Sequence, residues 1–173
     1  MKLVVAITGA SGIELSLKFI QNLPKDIDIH IITSNNALTV NSFENKKITL
    51  HKNSNIAASI ASGSFQVDAT IILPCSMNTL AKIACGIADN LVTRSASVAL
   101  KEQKKLLLAP RELPFSAIAL ENMEKLAKLG VIIAPPVMGY YSKSETLEDI
   151  ENFIIGKWYD ILNIKHTLYT RWS

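Results

Sequence analysis

The sequence is poor in cysteine and lacks long apolar runs. Two cysteines, Cys75 and Cys85, are too few for a disulfide framework, so we expect a reducing compartment. Only five apolar residues, 3–7, precede a glycine-containing turn, which is shorter than a secretory signal. No apolar run approaches the roughly 18 residues that span a bilayer. These absences predict a cytoplasmic protein with no membrane partner.

The sequence also has little excess charge of either sign. Its 18 basic and 15 acidic residues are scattered along the chain and give a net charge of +3. A nucleic-acid-binding domain usually concentrates its basic residues on one face, so we expect no nucleic-acid partner. Hydrophobic residues make up 49% of the 173 residues, which excludes a disordered chain and favours one globular domain over residues 1–173.

Short apolar runs predict the strands of a sheet. Runs that are apolar at successive positions, such as 3–7, indicate strands covered on both faces, as in a parallel sheet between two helix layers, and the run 27–33 is assigned from its alternating isoleucines. The fold class is therefore α/β. The predicted strands cover residues 3–8, 27–33, 69–73, 106–109 and 131–134. The polar stretch 43–55 has no clear period and receives no assignment.

Two segments predict helices from their spacing and end signals. In the first segment, apolar residues at helical intervals predict a helix with one buried face, and Gly130 marks the end of that helix. These residues are Phe115, Ile118, Ala119, Met123, Leu126 and Ala127. In the second segment, residues 146–149 resemble a capping box and predict a helix that runs to about Leu162.

Polar clusters follow several predicted strands, where ligands bind in open parallel sheets. The glycine-containing turn at 9–12 could hold a phosphate on exposed amides, or it could simply join a strand to a helix. It lacks the full spacing of a dinucleotide fingerprint. Ser76 and Thr79 could contact a ligand or cap the next helix. Cys75 has no histidine in a recognisable partner motif, so we expect a buried residue rather than a nucleophile.

The last two clusters follow the fourth and fifth predicted strands. Arg111 could clamp a phosphate and Glu112 could carry a proton, or the two could form a surface ion pair of little energetic weight. Tyr140 and Tyr141, on a loop rich in glycine and proline, could wall an aromatic or isoprenoid ligand, or they could form an oligomer contact.

Taken together, these clusters resemble the flavin prenyltransferases of the UbiX type. The resemblance covers nearly the whole chain, and its specificity comes from the order and spacing of several modest motifs. The motifs lie at residues 9–12, 61–65, 74–80, 86–94, 100–102, 110–115 and 122–123.

The resemblance implies a Rossmann-like or flavodoxin-like three-layer αβα fold with a central, mainly parallel sheet. It also implies a homo-oligomer, a dodecamer in this family. Members join a dimethylallyl group, from dimethylallyl phosphate or sometimes the diphosphate, to N5 and C6 of reduced FMN without a metal. The product, prenylated FMN, serves UbiD-type decarboxylases of ubiquinone and aromatic acid metabolism.

The resemblance also assigns roles to individual residues. FMN would be held by Gly9, Ala10, Ser11, Ser34, Ser76, Met77, Asn78, Thr79 and Arg111, with Ser11 near the flavin N5. The donor phosphate would be held by Arg94, Lys101, Tyr141 and Lys157. Glu112 would assist proton movement around the leaving phosphate, and Glu44 would contact the donor from a neighbouring subunit. A cation cluster suits this reaction, since the leaving phosphate needs charge compensation before its bond to carbon breaks.

Three other functions remain open at this stage. FMN-dependent cysteine decarboxylases share a similar pattern around residues 78–91, but their histidine and Pro-x-Met-Asn motif are not found here. A non-catalytic flavin carrier would have no use for Lys101, Arg94 and Lys157. Direct decarboxylation of hydroxybenzoate is a third reading, for which the sequence offers no electron sink beyond the flavin.

Overall fold

The computed structural model describes residues 1–9, 12–33, 43, 46–140 and 145–171. In these ranges strands and helices alternate along the chain. The strands are β1 (Lys2–Ile7), β2 (Asp28–Thr33), β3 (Lys47–Lys52), β4 (Ala69–Cys75), β5 (Lys105–Pro110) and β6 (Ile132–Ile133). The helices are α1 (Ile13–Asn22), α2 (Met77–Ala84), α3 (Leu91–Lys101), α4 (Ala117–Lys128) and α5 (Leu147–Leu162). Two 3₁₀ turns, Ser59–Ala61 and Gly63–Phe65, precede β4.

The six strands form one parallel sheet in the order β3-β2-β1-β4-β5-β6. This order is that of a doubly wound nucleotide-binding sheet, in which the connections turn to opposite sides at β1 and β4. The carboxyl ends of β1 and β4 therefore form the switch point of the sheet, where a ligand is expected. The predicted α/β class and parallel sheet are confirmed.

Each face of the sheet is covered by its own apolar core. Leu3 and Val5 of β1 point into a core shared with α1 and α5, where Phe19 packs against Tyr159 with ring centroids 4.9 Å apart. Val4 lies in the other core, which includes residues of α2, α3 and α4. Each large apolar side chain that is fully buried contributes roughly 1.5–3 kcal/mol to this packing. The two cores make the three layers that the resemblance implied.

One strand lies in the stretch that the sequence left unassigned. β3 forms the edge of the sheet and pairs with β2 over six residues, from Asp28 opposite Lys47 to Thr33 opposite Lys52. Its residues are half-buried or exposed, so it has none of the apolar run that marks the buried strands. Lysines at both ends suit an edge strand, because charge discourages pairing with another chain.

The predicted helices are confirmed, with one correction to the buried face of α4. Its buried residues are Ala119, Met123 and Leu126, whereas Ile118 is 71% exposed and Ala127 is also exposed. Both were wrongly placed on the buried face, because each lies one helical step of 100° from a buried residue and so outside the narrow stripe. Phe115 is half-buried but precedes the helix. Gly130 follows the helix with φ +84°, as a C-terminal glycine does.

The helix predicted from the capping box is α5, and it spans the predicted residues. Thr146 accepts a hydrogen bond from Asp149 N, and the Asp149 side chain accepts one from Thr146 N. Within the ranges that the structure describes, none of the helices has both the length and the apolar character that a membrane span needs.

Candidate functional site

The first wall of the candidate site is the turn between β1 and α1. Gly9 is exposed, and a Cβ added there would meet no atom within 4 Å. Gly12 is the N-cap of α1 with φ +109°, a backbone conformation that favours glycine, and it has no side chain with which to cap the helix amides. Open space beside uncapped helix amides suits an anion. Ala10 and Ser11, between these glycines, lie outside the described residues.

The second wall is the first turn of α2, across the switch point from Gly9. Ser76 is its N-cap, accepting a hydrogen bond from Thr79 N at 3.2 Å and donating one to Thr79 Oγ1 at 2.9 Å. Capping, one of the two open readings of Ser76 and Thr79, is therefore present. The described residues supply no acceptor for the amides of Met77 and Asn78, so this helix end keeps two donors for a ligand.

The start of α3 contrasts with this open end because all of its amides are bonded. Asn90 and Thr93 cap each other, with the Asn90 side chain accepting from Thr93 N and Thr93 Oγ1 accepting from Asn90 N. The Leu91 amide donates to Asn53 O at 2.8 Å, and the Val92 amide donates to Asn53 Oδ1 at 3.0 Å. No free amide is left there, so a phosphate near α3 needs a side chain to hold it.

Arg111 and Glu112 lie beside the start of α2, directly after β5. The Arg111 amide donates to Cys75 O at 3.4 Å, which ties this segment to the end of β4. Both side chains are exposed, and the salt bridges of the described residues include none between them. The reading of this motif as a surface ion pair is therefore wrong for this structure, and both groups can reach a ligand.

Cys75 is the last residue of β4, at this edge of the sheet. It is fully buried, and burial raises the pKa of its thiol to about 12. A thiol that stays protonated at neutral pH is a poor nucleophile, so the prediction of an inert buried cysteine is confirmed. Among the described residues, no group of three histidines, cysteines or carboxylates could hold a metal ion.

The predicted phosphate-binding cations are not brought together within one chain. Arg94 is exposed in the first turn of α3, close to the carboxyl edge of the sheet. Lys101 ends the same helix, about 10 Å further along its axis. Only three residues separate Lys101 from the start of β5, so it lies near the amino edge, where it pairs with Glu102 at 2.7 Å. The length of β5, roughly 16 Å, separates this end from Arg111.

Lys157 lies on the opposite face of the sheet from Arg94, since α5 and α3 cover different faces. Its side chain is exposed at a groove of about 290 Å³ between α5 and the loop that follows β6. The groove is lined by Ala134, Pro135, Val137, Met138, Gly139, Phe153, Ile154, Trp158 and Ile161 besides Lys157. Trp158 Nε1 of α5 donates a hydrogen bond of 3.0 Å to Ala134 O, which holds this loop against the helix.

Comparison with known proteins decides among the remaining functions. The Flavoprotein family model matches residues 1–159. Flavin prenyltransferase UbiX of Helicobacter pylori is 48% identical over 186 aligned positions, which cover 100% of this chain and 99% of that protein. The chain belongs to the UbiX family of flavin prenyltransferases.

Two solved structures of UbiX-like proteins share the whole fold. A dodecameric FMN-dependent UbiX-like decarboxylase from Escherichia coli O157:H7 superposes with a TM-score of 0.92 at 37% identity, covering 100% of both chains. AnUbiX (PadA1), in complex with FMN and dimethylallyl pyrophosphate, gives 0.91 at 33% identity, covering 99% of this chain and 97% of that one. The peptidyl-cysteine decarboxylase EpiD gives 0.62 at 23% identity, a likeness of fold alone.

Several residues that the family resemblance assigned lie outside the described residues. They are Ala10, Ser11, Ser34, Glu44 and Tyr141. Their roles remain predictions from the UbiX pattern. The described site residues that the resemblance assigned to FMN are Gly9, Ser76, Met77, Asn78, Thr79 and Arg111, and they lie at the switch point beside Glu112. The three cations that it assigned to the donor phosphate lie apart from one another.

Sequence reasoning missed two residues that organise the site of this UbiX family member. Thr8 and Asn53 both follow strands directly, and both bond to groups remote in sequence. Thr8 stood at the end of the first predicted strand, which was its only signal, and Asn53 lay in the stretch 43–55 that received no assignment. Their partners are more than 35 residues away, so no local motif could indicate them.

Proposed function

We propose that this protein is a flavin prenyltransferase that joins the dimethylallyl group of dimethylallyl phosphate to N5 and C6 of reduced FMN. The bond between carbon and the phosphate oxygen breaks as that carbon bonds to N5, which loses its proton, and phosphate leaves. The isoprenoid double bond then takes up a proton and bonds to C6, which loses its own proton, and this closes a fourth ring on the flavin. The structural observation that carries this proposal is that the N-termini of α1 and α2 follow the neighbouring strands β1 and β4, with the Arg111 amide bonded to the end of β4. Identity of 48% with a flavin prenyltransferase supports the same reaction.

The residues at the switch point fit the flavin. Gly9 lets the backbone approach the ligand closely, because an added side chain would fill the open space in front of it. The amides of Met77 and Asn78 can donate to its polar atoms, and the exposed guanidinium of Arg111 can compensate its phosphate charge. In this proposal Ser11 and Ser34 complete the flavin contacts and Thr79 orients Ser76.

The donor phosphate needs a set of cations that a single chain does not assemble. We therefore place Lys101 in the site of a neighbouring copy, since within its own chain it lies at the far edge of the sheet from Arg111. The dodecameric assembly of a UbiX-like relative supports a homo-oligomer. In this proposal Arg94, Lys157 and Tyr141 bind the same phosphate, with Arg94 and Lys157 supplied by different copies because they lie on opposite faces of one chain's sheet. Glu44 reaches the donor from a neighbouring subunit.

Glu112 is proposed to move a proton around the leaving phosphate. Its carboxylate is exposed at the carboxyl edge, with one oxygen accepting a hydrogen bond from Leu113 N at 3.2 Å. That leaves the other oxygen for the substrate. Exclusion of water would protect the cationic character that develops on the isoprenoid. The prenylated flavin would then pass to a UbiD-type decarboxylase in the cytoplasm.

An anaerobic transfer assay tests the proposal. The purified protein is incubated with reduced FMN and dimethylallyl phosphate without added metal, and the released flavin is analysed by mass spectrometry. Prenyl transfer adds one five-carbon unit to the flavin, and Glu112→Gln binds FMN normally but forms product slowly. Unchanged flavin with either the phosphate or the diphosphate donor, despite tight FMN binding, would contradict the proposal and favour a carrier or a cysteine decarboxylase.

A further inference from the structure

Thr8 connects the two walls of the flavin site at the switch point of the sheet. It follows β1 directly and precedes Gly9, and it is 7% exposed. Its hydroxyl donates to Pro74 O at 2.7 Å and accepts from Ser76 N at 2.9 Å. One buried side chain thus hydrogen-bonds to the residues on both sides of Cys75, where β4 ends.

The two hydrogen bonds of Thr8 join β1 and β4 where backbone pairing between these strands has ended. The paired register of β1 and β4 ends at Ala6 opposite Ile72. Pro74 has no amide to donate, and the register of β4 with β5 shifts between Ile72 and Cys75. The Thr8 amide reaches Pro74 O only at 3.4 Å, so the hydroxyl makes the shorter link between the two strand ends.

The same hydroxyl determines how α2 begins. Ser76 is the N-cap of that helix, and its amide is one of the four that a helix leaves without an internal partner. Thr8 satisfies this amide and Ser76 Oγ satisfies that of Thr79, while the amides of Met77 and Asn78 stay open. The direction of the two open donors relative to Gly9 therefore depends on Thr8.

We infer that Thr8 is a positioning residue for flavin binding, acting by holding the N-terminus of α2 in register with the turn at Gly9. The inference rests on the proposed function, because it takes these two segments as the flavin-binding walls. The hydroxyl is the group that matters, so serine can replace threonine and valine cannot. Thr8 makes no contact with flavin in this role.

The test compares FMN dissociation constants and apoprotein melting temperatures of four proteins: wild type, Thr8→Val, Thr8→Ser and Ser95→Ala. Thr8→Val weakens FMN binding about tenfold, the effect of one buried donor left without its acceptor. Thr8→Ser stays close to wild type. Ser95→Ala is the matched control, because it removes a buried hydroxyl bond of 2.8 Å to Leu91 O within α3 and leaves FMN binding unchanged.

Two results would overturn the inference. One is unchanged FMN affinity in Thr8→Val with a lower melting temperature, which would show a purely structural role. The other is equal loss of affinity in Thr8→Ser, which would show that the methyl group matters. If Thr8→Val does not fold, Thr8→Cys, a weaker donor and acceptor, must weaken FMN binding instead. Normal FMN binding without prenyl transfer would contradict the proposed function alone.

Discussion

Replacing Asn53 by leucine removes the side-chain acceptor that closes the start of α3. The Val92 amide, which now donates to Asn53 Oδ1 at 3.0 Å, would lose its partner in a place where Val92 is 3% exposed. Loss of a helix-capping acceptor costs about 1 kcal/mol, and a buried donor without a partner costs roughly 1–3 kcal/mol. We expect a loss of about 1.5 kcal/mol, which lowers the melting temperature of a protein of this size by about 3–6 °C.

The matched variant, Asn53→Asp, keeps an oxygen at the same place. Its negative charge at a helix N-terminus is favourable, so its stability should equal or slightly exceed that of wild type. Thermal unfolding followed by circular dichroism compares the three proteins. Equal melting temperatures for wild type and Asn53→Leu would refute the reasoning, since the contact would then have no energetic weight. Equal destabilisation by both variants would show that the loss comes from altered packing around residue 53 and not from the missing acceptor.

The Asn53→Leu substitution should also weaken binding of the prenyl donor more than binding of FMN. Arg94 lies one turn into α3, so a loosened helix start moves a cation that is proposed to hold the donor phosphate. We expect Asn53→Leu to raise the KM for dimethylallyl phosphate severalfold and to leave the FMN dissociation constant unchanged. A parallel loss of both would place the effect in the whole fold and contradict this role.

Two further predictions concern pH and thiol chemistry. His30 Nδ1 and His51 Nε2 lie 3.0 Å apart, and desolvation lowers the pKa of both rings below the ordinary 6.5. The folded protein therefore binds fewer protons than the unfolded chain. The contribution of the two histidines to the free energy of unfolding is fully present above about pH 6.5 and is lost as pH falls through the lowered pKa values. His30→Gln should flatten this dependence in urea titrations between pH 7.5 and 5. A thiol reagent should label exposed Cys85 in the native protein and leave Cys75 unlabelled until unfolding, and fast labelling of Cys75 would contradict its burial.

The fold was predictable where burial imposes a simple pattern on the sequence. Strands such as β1 and β5 are covered on both faces, so after their first lysine they appear as uninterrupted apolar runs. β3 was not predictable in this way, because an edge strand needs few apolar residues and is held by backbone bonds to β2. The prediction that Ile118 is buried was wrong for a related reason, since a periodic pattern does not show how wide the buried stripe of a helix is.

The candidate site was predictable only where its residues are contiguous. Gly9 and Ser76 follow strands, and the topology of a parallel sheet brings such segments together. Sequence spacing did not reveal that Lys101 ends α3 at the far edge, because that depends on the length of the helix and the direction in which it runs. The links made by Thr8 and Asn53 depend on partners that folding alone brings close.

The most direct test of the account is prenyl transfer by oligomers assembled from two variants of low activity. Lys101→Ala and Glu112→Gln are co-expressed with different affinity tags, and mixed oligomers are purified through both tags. If Lys101 serves the site of a neighbouring copy, random mixing in a symmetric oligomer restores about a quarter of the sites to wild-type activity, whereas each variant alone forms product only slowly. Mixed oligomers that form no prenylated flavin, while wild type does, would contradict a site shared between copies.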